Sequence, residues 1–211
     1  MQPVIISGSL SSLNIRTGRA NQEGCYGALW QWPDQGRGIR SKLAGDVRQE
    51  REKLESVLGE LVVTIEHMGS TAVPGLAAKP VIDLLVGVRS LNEARLRCID
   101  PLQSLGYSHI TDYEAWLPGE LFFRKRVPGP WTHHVHMMEP SDSRGRWDEF
   151  LLFRDYLRGH PEAVSEYAEL KRSAAVTAGD DIEIYRSAKN AFVEATKAKA
   201  RTERRLIRRS D

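Results

Sequence analysis

Apolar and polar positions along this chain change period several times, and each change marks an element. Over residues 41–58, Leu43, Val47, Leu54 and Leu58 recur at helical spacing with charges between them, which predicts an amphipathic helix stopped by Gly59. Residues 61–66 are short and β-branched, as in a strand. Residues 67–80 hold small side chains, Pro74, Pro80, Gly69 and Gly75, and so predict a loop. An apolar run follows at 81–88, a buried strand whose only charge is Asp83.

Helical spacing returns over residues 91–105 and ends at Gly106, with Pro101 placed to kink or split that helix. Residues 107–113, 121–127 and 132–138 are three strand candidates between Pro/Gly turns. Beyond Pro140 the pattern is helical again, at 144–158, 161–177 and 181 to about 200. Strands with one crossover helix, then helices, predict an α/β (α+β) domain: a mixed β-sheet flanked by helices, with a helical C-terminal part. The domain is expected over residues 41–200. Residues 1–40, dense in turn formers at 32–38, are expected to be a poorly structured extension that Trp30 and Trp32 can dock.

Composition narrows the class. The chain has 211 residues, 41% hydrophobic and 27% charged, close to globular averages and long enough to bury a core without staples. It has no apolar run of about 18 residues, so no membrane span is expected. Cys25 and Cys98 are isolated thiols without metal-ligand spacing. No basic segment precedes the apolar start at residues 3–10, and the two features together point to the cytoplasm. The net charge of +2 conceals an asymmetry: residues 197–211 sum to +5 and the rest to −3. Residues 201–211 are therefore read as a basic, solvated tail, and an acidic domain disfavours nucleic acid as the partner.

Two local features carry chemistry. Gly69-Ser70 follows the strand at 61–66, and such a turn lets backbone amides and a hydroxyl approach a phosphate. Asp83 interrupts an apolar strand, where a charge must be paired, as with Lys79, or bind a cation. Neighbouring strand ends would let the pair hold a nucleotide phosphate and its metal.

Residues 65–86 (IEHMGSTAVPGLAAKPVIDLLV) resemble the signature of the GrpB family, whose fold is that of the nucleotidyltransferase superfamily. THHVHM at 132–137, Trp147, FRDYLR at 153–158, Tyr167, Lys171, Tyr185 and Lys189 follow in the family's order, from about residue 44 to 197. The resemblance implies that Met68, Gly69 and Ser70, with Thr71, form the phosphate-binding turn. It implies that Asp83 is the first metal-binding acid and that Leu85 stands where the second would be. It therefore implies a nucleotidyltransferase using a nucleoside triphosphate, ATP before the others, with Mg²⁺ or Mn²⁺.

Alternate residues of a strand share a face, so His134 and His136 point together and His133 points away. Asp83, His134 and His136, with Glu66 as a further ligand or base, form the expected catalytic and metal site, and the alternative is a metal-free hydrogen-bonded cluster. Arg154, seven residues after Trp147 on an apolar stripe, needs an anion, either ligand phosphate or a salt-bridge partner such as Glu66. Tyr167 with Lys171 and Tyr185 with Lys189 sit at i,i+4 spacing; the lysines either cover the rings or line an anion pocket, with Lys79 a lesser candidate.

The expected function is transfer of a nucleotidyl group to a small-molecule acceptor, or adenylation of its carboxylate. The alternatives are a non-catalytic nucleotide- or small-ligand-binding accessory module and a metal-dependent hydrolase. The acceptor and the oligomeric state are not legible.

Overall fold

The computed structural model describes residues 37–126, 130–141, 145–179 and 181–210; the expected extension up to residue 36, with Cys25, Trp30 and Trp32, lies outside them. Helix α1 (Arg37–Leu58) turns Leu43, Leu54 and Leu58 into the core, at the spacing of one helix face. A 3₁₀ turn (Gly59–Leu61) leads into β1 (Val62–Met68), and a second (Ser70–Ala72) opens the loop before β2 (Ile82–Val88). Helices α2 (Leu91–Arg97) and α3 (Ile99–Ser104) cross to β3 (Tyr107–His109). Helix α4 (Thr111–Trp116), β4 (Leu121–Arg126) and β5 (Trp131–Met138) follow, then α5 (Arg146–Gly159), α6 (Pro161–Ala178) and α7 (Ile182–Ser210).

The strands form one mixed sheet in the order β1-β2-β5-β4-β3. β2 and β5 run parallel and the other pairs are antiparallel. Register then decides what shares a face. Met68, Asp83, His134 and Arg124 lie abreast in one row, and Glu66, Leu85, His136 and Phe122 in the next row of the same face. The opposite face, with Ile65, Leu84, Phe123 and Val135, packs on α1, α2 and α3 to make the main core.

The second face is covered differently. Met68, Leu85 and Met138 pack on Trp147 of α5, with Phe150 and Leu151 beside it. Val73 and Leu76 from the loop before β2 pack with Leu157, Tyr167 and Phe192. That cluster presses the Gly69-Ser70 end of the loop against the C-terminal helices.

Three elements differ from their predicted extent. The helix expected at 91–105 is split at Cys98, which places Pro101 in the first turn of α3, where its missing N–H costs no helical bond. The strand expected at 107–113 ends at His109, and Tyr113 instead stacks on Phe122 from α4, with ring centroids 4.3 Å apart. The last helix does not stop near residue 200: α7 continues to Ser210, because residues 197–209 are good helix formers without Gly or Pro. Among the described residues no helix is long and apolar enough to cross a membrane.

Candidate functional site

The site grows from the end of β1. Gly69 has φ 74° and ψ −169°, a conformation open essentially to glycine alone. A Cβ there would also collide with the Asp83 carboxylate. Backbone conformation and space thus both demand glycine, and the turn lies directly against the acid. Ser70 follows, half-buried beside an exposed Gly69.

Asp83 is paired across the parallel β2–β5 ladder with His134, whose Nδ1–H donates to Asp83 Oδ1 at 2.9 Å. The Asp83 side chain keeps 24% of its exposure. Burial raises its pKa, but the hydrogen bond from His134 and the fields of His134, His136 and Lys189 outweigh that and hold it below the ordinary carboxylate value. Lys189 on α7 is half-buried; desolvation lowers its pKa and Asp83 acts the other way.

Lys171 on α6 is 2% exposed. Its Nζ donates to Ala77 O at 2.6 Å and lies 3.2 Å from Ser70 Oγ, above the Tyr167 ring at 4.9 Å. Burial, with the charges of Lys189 and Arg172, pushes its pKa down to about 7. Lys171 therefore meets the glycine turn and covers its aromatic ring as well, while Lys189 acts on Asp83.

Several expected members stand elsewhere. His136 meets Glu120, not Asp83: its Nδ1–H donates to Glu120 Oε1, while Arg146 binds the other oxygen. Phe122 separates the two imidazoles, its centroid 5.5 Å from His134 and 4.6 Å from His136. Glu66 is held by Arg154 Nη1 at 2.7 Å, and the same nitrogen donates to His67 O at 3.0 Å. Arg154 Nε donates to Asp155, so this arginine has its anions within the protein. Thr71 is buried, accepting from His67 Nε2 and donating to Val81 O, both at 3.0 Å. Burial and the nearby Arg158 and Arg154 push the His67 pKa down to about 4, against the pull of Asp83. Lys79 is half-buried just before β2. The four expected ligands are held by different partners, and among the described residues no three His, Cys, Asp or Glu are grouped to hold a metal ion.

One carboxylate beside one imidazole does not fit a caged or two-cation centre. It does fit a single Mg²⁺ or Mn²⁺ held by Asp83, with the remaining ligands from water and phosphate. Leu85 is 0% exposed and packed among Met68, Met138 and Trp147, so its position has no room for a solvated acid.

Glu120 and Arg146 were not singled out from sequence, because only the β4–β5 pairing brings Glu120 to His136. Glu50 was also missed, although it falls seven residues after Leu43 on the α1 stripe. It is buried and accepts from Tyr107 Oη at 3.0 Å and Lys125 Nζ at 2.5 Å, tying α1 to the far face of the sheet.

A mixed α/β domain with a glycine turn pressed on a strand carboxylate is the class that fold and site define. The chain belongs to the GrpB family, whose model, described as "GrpB protein", matches residues 39–199. It is 37% identical over 153 residues to the UPF0157 protein YqkA of Bacillus subtilis, covering 72% of this chain but 43% of that protein. It is 34% identical to the glutamate-rich protein GrpB of Alkalihalophilus pseudofirmus, over 69% of this chain and 83% of the relative. A protein of Mycolicibacterium paratuberculosis named dephospho-CoA kinase is 33% identical over 63% of this chain and 37% of its own length. Among solved structures, the conserved protein GrpB from Enterococcus faecalis superposes with a TM-score of 0.68 at 32% identity, over 76% of this chain and 93% of that one.

Proposed function

We propose that this protein binds a nucleoside triphosphate at the Gly69-Ser70 turn and transfers its nucleotidyl group to a small acceptor. The observation that carries the reading is the close approach of Gly69 to Asp83, which sets a phosphate-type turn directly beside a solvent-accessible strand acid. The Ser70 hydroxyl and the exposed turn can meet phosphate oxygens, with Lys189 supplying positive potential beside Asp83 and Lys171 held against Ser70. A divalent ion on Asp83 would neutralise charge on the phosphates. His134 orients the Asp83 carboxylate through its hydrogen bond.

The test is thermal stability of the full chain with ATP, GTP, CTP or UTP and Mg²⁺ or Mn²⁺, beside Asp83→Ala, since a ligand of the folded state raises Tm by mass action. The expected result is a metal-dependent shift with one nucleotide, absent in the variant, together with pyrophosphate release when acceptors are screened. No shift with any nucleotide, in folded protein, sinks the reading.

A second reading is a nucleotide-binding accessory module without turnover. The buried Leu85 favours it, because the second acid of two-cation transfer is replaced by packed hydrocarbon. The relative named dephospho-CoA kinase, of which this chain matches only part, also suits an accessory domain. Saturable binding without pyrophosphate release would select it.

A further inference from the structure

We propose that Ser70 is a nucleophile with Lys171 as its general base, and that the nucleotidyl group passes through a covalent bond to Ser70. This rests on the nucleotide reading above. Lys171 Nζ is 3.2 Å from Ser70 Oγ and donates to Ala77 O at 2.6 Å. In the neutral amine, the bond to Ala77 uses one N–H, and the lone pair accepts the Ser70 hydroxyl. Serine–lysine pairs of this geometry activate the hydroxyl on unrelated folds.

The surroundings favour the neutral amine. Lys171 is buried, and the cations Lys189 on α7 and Arg172 on α6 disfavour a further charge. Tyr167 is itself raised in pKa by burial, with Tyr185 of α7 and Asp83 of β2 acting in the same direction, so it stays a neutral phenol. A lysine that only gripped phosphate would serve better charged and exposed. Ser70, by contrast, is open to a ligand: it is half-buried and adjoins the exposed Gly69 that touches Asp83. The route also accounts for Leu85. Where no second carboxylate assists direct attack by the acceptor, a base on the other side of the turn can activate an internal nucleophile.

The bonds balance. Ser70 Oγ bonds to the α-phosphorus, the bond from that phosphorus to the bridging oxygen breaks, and pyrophosphate leaves with the electron pair. The hydroxyl proton passes to Lys171 Nζ. The acceptor oxygen or nitrogen then attacks the same phosphorus, Ser70 leaves and takes its proton back from Lys171, and the acceptor's proton goes to solvent.

The experiment incubates the full chain with Mn²⁺ and each of ATP, GTP, CTP and UTP without acceptor, then reads intact mass and maps the modified peptide. The expected result is a mass gain of one nucleotidyl group on Ser70, absent in Ser70→Ala, which loses only a hydroxyl and keeps the Lys171–Ala77 bond. Lys171→Met should slow labelling about 100-fold, and the wild-type rate should rise through about pH 7. If Lys171→Met does not fold, the wild-type pH profile decides the base, and a flat profile removes Lys171 from that role. A nucleotide that shifts Tm without any adduct, or with an adduct elsewhere, overturns the covalent route and leaves the nucleotide reading standing. Absence of any nucleotide-dependent shift overturns both.

Discussion

β5 carries two imidazoles two residues apart on one face, and each meets a carboxylate, yet the two pairs have opposite fates. His136 and Glu120 are sealed: Glu120 is 0% exposed, and Arg146 completes a triad in which every charge has its partner. His134 and Asp83 are open: the acid keeps contact with solvent and lies in the field of Lys189. The pairwise chemistry is the same, so the difference lies in what closes each pair. A satisfied buried network holds a strand end in place, whereas a half-solvated acid beside a glycine turn has capacity left for a ligand.

The sharpest way to break this comparison is to put an acid into the sealed row. Leu85→Asp should cost about 4 kcal/mol or abolish folding, because it buries an unpaired charge among Met68, Met138 and Trp147. Urea unfolding checks this; a stable variant that gains metal-dependent activity would show that the position is still a latent ligand site. Glu120→Ala should cost about 3 kcal/mol, since it strands His136 and Arg146 without their anion. Asp83→Asn, by the same measurement, should change stability by about 1 kcal/mol or less while removing nucleotide binding. If the two carboxylate variants cost the same, the contrast between a structural and a functional pair fails.

A pH titration sharpens it further. His67 falls from 6.5 to about 4 in the folded protein, so the unfolded chain binds more protons between those values. Stability should therefore decline as pH drops from 6.5 towards 4, and His67→Gln should flatten that limb in thermal melts. The smallest expected effect is on the exposed surface: Arg172→Ala breaks its pair with Glu169 and should move stability by about 0.5 kcal/mol or less.

Much of the architecture was legible because hydrophobic period is a local property. Leu43, Leu54 and Leu58 announce α1, and the run around Asp83 announces a buried strand, whatever else the chain does. Tyr113 was misplaced because a strand-like residue ended in α4, where stacking on Phe122 outweighed its β propensity. Within the site, alternation correctly put His134 and His136 on one face. Alternation does not specify which acid an imidazole meets. Phe122 lies between the two histidines, and Arg154 draws Glu66 away, through contacts with β4 and α5 that lie 12 or more residues off in sequence.

The amino-acid sequence by itself determined the elements, the mixed α/β class, the GrpB membership and the residues of the glycine turn, since these rest on period, turn chemistry and local order. Only the tertiary structure decided that Asp83 pairs with His134, that His136 closes on Glu120, and that Lys171 reaches Ser70 across a gap of 101 residues. The physical reason is that the charge state and partner of a polar side chain follow from its burial and its neighbours. Strand register and helix packing set those neighbours, and neither is written within any short stretch of chain.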